Sequence, residues 1–122
     1  LALKVSPDLS EEEVIRIALK LVEYEIDAVI ATNTTTYRGS VSGLRFSEEG
    51  GGLSGPPVKN LSDNIINCLS KEIGDSLPII GVGGINSASD AADKLDLGAK
   101  LLQLYTGFIY KGPSLLKAIS KV

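Results

Sequence analysis

Apolar residues gather into four short runs, Leu1–Val5, Ala28–Ala31, Ile79–Val82 and Leu101–Leu104. None alternates cleanly with polar positions, which is the pattern of strands buried on both faces in a parallel sheet. Each run gives way to a segment with helical spacing of its apolar positions. After the first, Ser10-Glu11-Glu12-Glu13 reads as a capping box, and Val14, Ala18, Leu21 and Val22 share one face. After the second, Ile65, Ile66, Leu69 and Ile73 form the stripe, with Ser62 as the expected N-cap. Ser87 caps a third helix whose inner face is Ala88, Ala91, Ala92 and Leu95, stopped by Gly98. Pro113 suits the first turn of a fourth, with Leu115, Leu116, Ile119 and Val122 facing inward. The order βαβαβαβα predicts an α/β fold, a parallel sheet with its helices outside.

The spacing is uneven. The second and third runs lie about twice as far apart as the others, too far for one βα unit. The surplus, positions 36–57, holds Gly39, Gly43, Gly50, Gly51, Gly52 and Gly55 with Pro56 and Pro57. A long loop inside a compact domain is usually a lid or a binding loop. This one leaves the C-terminal end of the second strand, where α/β barrels and open α/β sheets place their sites.

Composition narrows the field. The 122 residues suit one domain, and 43% hydrophobic with 22% charged residues excludes a disordered or collagen-like chain. No apolar run is long enough for a transmembrane helix. Twelve basic against fifteen acidic residues, net charge −3, argue against a nucleic-acid or polybasic membrane surface. The single cysteine, Cys68, cannot form an internal disulfide, and nothing has the spacing of a metal site. With no histidine, a Ser-His-Asp or Cys-His triad within the chain is excluded. The chain also lacks methionine and opens inside an apolar run, so it is expected to be a piece of something longer.

Candidate chemistry sits at the strand ends. Lys4 lies within the first apolar run, where an ammonium needs an anionic or electron-rich partner, or else a route to water. Thr32-Asn33-Thr34-Thr35-Thr36 follows the second strand, offering donors and acceptors without net charge to a planar polar substrate; turn chemistry is the plainer alternative. Gly81-Val82-Gly83-Gly84-Ile85 leads from the third strand into the Ser87 helix. Its backbone N–H groups can approach an anion closely, as phosphate loops after late barrel strands do, although a tight turn also uses glycine. Tyr105-Thr106-Gly107 ends the fourth strand beside it if the strands are ordered sequentially. Cys68 fits the core better than a reactive role.

Taken together, these motifs resemble one family. Lys4-Val5-Ser6-Pro7-Asp8-Leu9, Ala31-Thr32-Asn33-Thr34-Thr35, Gly51-Gly52-Leu53-Ser54-Gly55, Gly81-Val82-Gly83-Gly84-Ile85 and Gln103-Leu104-Tyr105-Thr106-Gly107 are similar, in order and over essentially the whole chain, to the C-terminal half of class 2 dihydroorotate dehydrogenases. The Gly-Gly-Leu-Ser-Gly loop and the Ala-Thr-Asn-Thr-Thr form favour the membrane-associated, quinone-using class over the soluble ones. The resemblance implies the second half of an FMN-binding (β/α)8 TIM barrel, with residues 1–122 supplying its last four βα units and 36–57 as a Gly-rich insertion. It implies that Lys4 and Thr32 contact the flavin ring and that Asn33 and Thr34 hold orotate or dihydroorotate. It further implies that Gly55, Gly84, Tyr105 and Thr106 carry the ribityl phosphate or line its path.

The implied reaction is oxidation of dihydroorotate to orotate in pyrimidine synthesis, with a quinone as final acceptor. The family's catalytic base is a serine from the first half of the barrel. Ser40, Ser42 and Ser54 do not match its motif, so no catalytic base is expected in this chain. The helical extension that gives peripheral membrane attachment and quinone access is also expected outside it. The partners implied are therefore the N-terminal half of the barrel, the pyrimidine substrate and a quinone. Two other readings stand beside this one: a non-catalytic half-barrel fragment, and another phosphate-binding barrel enzyme.

Overall fold

The structure, a computed structural model, describes residues 1–122. Four strands, β1 (Ala2–Val5), β2 (Ala28–Ala31), β3 (Ile79–Val82) and β4 (Leu101–Gln103), form one parallel sheet in sequential order. Five helices connect or follow them: α1 (Glu11–Glu23), α2 (Lys59–Ile73), α3 (Ala88–Asp96), α4 (Thr106–Lys111) and α5 (Pro113–Ile119). The fold class is α/β, as the alternation of runs and stripes predicts.

One face of the sheet makes the core. Val5, Val29, Ala31 and Ile79 pack against Val14, Ala18 and Leu21 of α1 and Ile65, Ile66, Leu69 and Ile73 of α2. Burying side chains of this size contributes roughly 1.5–3 kcal/mol each, offset by the entropy of ordering them. The opposite face carries Lys4, Ile30, Ile80 and Leu101, which the strand register sets side by side. No layer of the chain covers that row: Lys4 and Leu101 are exposed, Ile30 and Ile80 half-buried. The expectation that all four strands are buried on both faces therefore holds only toward the helices. β1 and β4 are edge strands with one neighbour each, and Leu3 and Leu101 are 44% and 59% exposed.

Local signals at helix ends are realised where they depend on neighbours in sequence. Ser10 and Glu13 form the reciprocal capping box of α1, and Ser87 accepts from the Asp90 N–H at the start of α3. Ser62 does not cap α2. Pro56 and Pro57 open a 3-10 turn, Pro56–Val58, that runs into the helix at Lys59, so Ser62 lies inside the helix and is fully buried. Val22, Leu116 and Val122, expected on inner faces, are exposed. The last helical segment is also divided: α4 begins at Thr106, and Gly112, at φ +63°, separates it from α5. Of the apolar face expected for α5, Leu115 is buried and Ile119 half-buried.

Candidate functional site

The C-terminal ends of all four strands open on one cleft of about 210 Å³. Every site residue expected from the sequence lines it: Lys4 from β1, Thr32, Asn33 and Thr34 after β2, Gly55 from the long loop, Gly84 after β3, and Tyr105 and Thr106 after β4. Parallel sheets concentrate function here because all their connecting loops on this side follow strand ends.

At one side of the cleft the Lys4 ammonium crosses the uncovered sheet face and donates to Gln103 Oε1 at 3.3 Å. It is exposed to the cleft and forms no ion pair within the chain. Its one partner in the chain is thus the neutral Gln103 amide and not a carboxylate. Thr32 is buried, and its N–H donates to the Val82 carbonyl at 2.8 Å. The Asn33 N–H donates to the Val5 carbonyl at 2.8 Å, leaving the Asn33 and Thr34 side chains exposed at the lip.

The long loop is ordered and folds back on this lip. Thr35 and Leu53 exchange backbone hydrogen bonds of 3.0 and 2.8 Å as an isolated antiparallel bridge. Gly52 sits so close to Thr34 that a β-carbon there would lie 1.8 Å from the Thr34 hydroxyl, so only glycine fits. Ser54 then accepts from the Thr106 hydroxyl at 2.9 Å, joining the loop to the end of β4. The loop thus closes one wall of the cleft between the second and fourth strand ends.

Two residues to which the sequence analysis assigns no role hold the loop's base. Asp8, in the turn after β1, accepts from the Thr35 hydroxyl, from the Thr36 N–H at 2.8 Å and from the Thr36 hydroxyl at 2.9 Å. Burial pushes its pKa up, but those hydrogen bonds and the nearby Arg38 charge outweigh it and leave the carboxyl below its ordinary range. Arg38 donates to the Thr35 carbonyl at 3.1 Å and to the Glu49 carbonyl at 3.4 Å, tying the two arms of the loop. Asp8 stands in the Lys4–Leu9 motif, but its contacts reach across the gap between β1 and the insertion, and those of Arg38 reach across the insertion itself.

At the other end of the cleft stand Gly83 and Gly84, at φ +122° and +72°, conformations that L side chains rarely adopt. A β-carbon on Gly84 would fall 2.5–2.8 Å from Cβ, Cα and N of Lys59, at the start of α2. The Gly83 N–H points across the sheet toward β4, where Val82 stands in register with Gln103, whereas the half-buried Gly84 N–H donates to no group of the chain. Behind them lies a charged cluster that the sequence pattern does not announce. Lys94 is fully buried and donates to Asp63 Oδ1 at 2.7 Å and Ser62 Oγ at 2.9 Å. Lys59 donates to Asp63 Oδ2 at 2.8 Å and Asp93 Oδ2 at 2.9 Å. Burial pulls the Lys94 pKa down, against its hydrogen bond to Asp63, while the hydrogen bond to Asp63 and that to Asp93 hold Lys59 above its usual value. Lys94 lies three positions beyond Ala91 on the inner stripe of α3, a spacing at which a lysine calls for a buried anion.

The fold and the cleft are those of a parallel α/β unit with a backbone donor, a cation and a polar lip at its strand ends, where (β/α)8 barrels place their sites. A sequence model of the family Dihydroorotate dehydrogenase matches residues 1–122. Curated relatives named dihydroorotate dehydrogenase (quinone) include that of Vibrio cholerae, 54% identical over 121 residues, and that of Shewanella pealeana, 57% identical over 119. The alignments cover 99% and 98% of this chain but 36% and 35% of those proteins, so the chain spans about a third of their length. A crystal structure of dihydroorotate dehydrogenase from Eimeria tenella in complex with ferulenol superimposes with a TM-score of 0.93 at 35% identity, covering 99% of this chain and 32% of that one. The ligand-free form of that enzyme gives 0.92. The chain belongs to the dihydroorotate dehydrogenase family. Both bacterial relatives carry the quinone-dependent name, in line with the class that the loop motifs favour.

Proposed function

We propose that this chain supplies the late strand ends of a quinone-dependent dihydroorotate dehydrogenase, where they hold FMN and the pyrimidine. The observation that carries the reading is the meeting, in one cleft, of the Lys4 cation, the Asn33–Thr34 lip and the tight Gly83–Gly84 turn with its free Gly84 N–H. The residues suit a phosphorylated flavin. A backbone donor in a turn too tight for any side chain fits a phosphate, and an exposed cation at the far end fits the electron-rich edge of a ring.

In this reading Gly84, Gly55, Tyr105 and Thr106 border the phosphate, with the Thr106 hydroxyl oriented by Ser54. Lys4 and Thr32 meet the ring, and Asn33 and Thr34 orient the substrate through hydrogen bonds that carry no charge. Bound FMN supplies the two-electron acceptor for oxidation of dihydroorotate to orotate. Lys4 provides fixed positive charge where negative charge develops, a contribution larger in the transition state than in the ground state. In this reading the base that removes the substrate proton comes from the other half of the barrel, and quinone access and peripheral membrane attachment come from a helical extension outside these residues. No helix of this chain is long and apolar enough to cross a membrane.

A visible absorption spectrum of the purified complete enzyme, with intact mass from the same sample, tests the assignment. A flavin band that releases FMN on denaturation is expected. A colourless, folded protein that gains no flavin on addition of FMN contradicts it.

A further inference from the structure

Gln103 has no part in the chemistry just described, yet its carboxamide is the one group of the chain that hydrogen-bonds the Lys4 ammonium. The two residues stand on opposite edges of the sheet, Lys4 on β1 and Gln103 on β4. Three strand spacings of about 4.8 Å each separate their backbones along the sheet. The register puts Leu101 level with Lys4, and Gln103 follows two positions later on the same uncovered face. Both side chains therefore stretch over β2 and β3 to meet. The contact has a fixed polarity. An ammonium only donates, so the amide turns its oxygen to Lys4, at 3.3 Å. Packing holds neither end, because Lys4 and Gln103 are both exposed. A lysine without an acceptor keeps its rotamer freedom and places its charge loosely. A carboxylate at this position would also hold the ammonium, but its own charge would cancel the field. A carboxamide holds it and leaves the charge whole.

We propose that Gln103 is a positioning residue for the oxidation step: its side-chain oxygen holds the Lys4 ammonium at the cleft without neutralising it. This rests on the reading that Lys4 meets the electron-rich edge of the flavin ring. Both residues line the strand-end cleft. There a fixed, uncancelled cation favours the negative charge that reduction brings to the ring; a loose or paired one favours it less. Two substitutions separate holding from charge. Gln103→Leu keeps the bulk and loses the acceptor. Gln103→Glu keeps an acceptor and adds the charge that the carboxamide avoids.

The midpoint potential of FMN bound to the complete enzyme, from a spectroscopic titration with reference dyes, reads this without turnover. Lys4→Met should lower the two-electron reduction equilibrium about a hundredfold, or about 60 mV. Gln103→Leu should lower it about tenfold, or about 30 mV, the order of one lost hydrogen bond to a charged group. That substitution changes no charge, so its effect runs through Lys4. In the Lys4→Met background it should shift nothing further. Gln103→Glu should lower the potential more than Gln103→Leu does. Gln103→Met, also neutral and a poor acceptor, is measured if Gln103→Leu does not fold. A potential equal to wild type in the neutral variant, or a shift that persists undiminished beside Lys4→Met, overturns the positioning role. So does a Gln103→Glu potential at or above that of wild type. A Lys4→Met potential equal to wild type overturns the assignment of Lys4 to the ring, and is seen with Gln103 intact.

Discussion

Asp8 and Arg38 hold the lip after β2 from two directions, and the Asp8 carboxylate makes that hold sensitive to pH. Asp8 accepts three hydrogen bonds from Thr35 and Thr36, and its folded-state pKa lies below the ordinary 3.8. A depressed carboxyl pKa stabilises the folded state above the unfolded value, and that contribution is lost as pH falls through the folded one. Asp8→Asn in the complete enzyme should therefore lower Tm by a few degrees at pH 7, with the difference from wild type shrinking below about pH 4. Because Asp8 is exposed, the effect should be modest and should weaken with salt. Differential scanning fluorimetry across pH checks this, and a Tm difference independent of pH contradicts it. The residues most legible in the sequence are those whose type conflicts with their surroundings or whose motif is contiguous: Lys4, Asn33, Thr34 and Gly84. Asp8, Ser62 and Lys94 act through partners 20 or more positions away, and Arg38 across a loop; one-dimensional patterns do not record such pairs.

Among the elements, capping is legible where the signal is local, as at Ser10 and Ser87. It fails at α2 because the two prolines start the turn without a side-chain cap. Ser62 imitates a cap for a physical reason: serine is poor inside helices unless its hydroxyl has a task, and here that task lies across the sheet. The short α4 escapes the pattern because Tyr105-Thr106-Gly107 reads as loop, and Gly107 is present so that the backbone can approach Ile85. A β-carbon at Gly107 would stand 2.1 Å from the Ile85 carbonyl oxygen. The strand ends, in contrast, fall where the apolar runs stop to within a residue or so, since a parallel strand buried against helices leaves few polar positions.

At the scale of the whole molecule, one sheet face and both edges lack a partner. Ile30, Ile80 and Leu101 form an uncovered apolar row, and on the helix side Leu3, Leu9, Ile17, Leu21, Tyr24 and Ile26 line a groove of about 480 Å³ beside the β1 edge. That groove is larger than the strand-end cleft and mainly apolar, with Glu13, Arg16 and Lys20 also lining it, so it suits a packing neighbour better than a small polar ligand. Open parallel edges and apolar faces of this kind drive association. The 122-residue polypeptide produced by itself should self-associate or aggregate, and should become soluble when co-produced with the remainder of the barrel. Sedimentation velocity is the check; a stable, cooperatively unfolding monomer contradicts it.

The central claim is that electrons leave the pyrimidine at the strand-end cleft, with Lys4 opposing the charge that arrives. Anaerobic stopped-flow of the complete enzyme, following flavin bleaching on mixing with dihydroorotate, measures that step alone. Wild type should be reduced rapidly, and Lys4→Ala should be slowed by about a hundredfold or more while retaining its fold, the order expected for removing an electrostatic stabiliser of developing charge. An unchanged rate of flavin reduction in Lys4→Ala would contradict the claim.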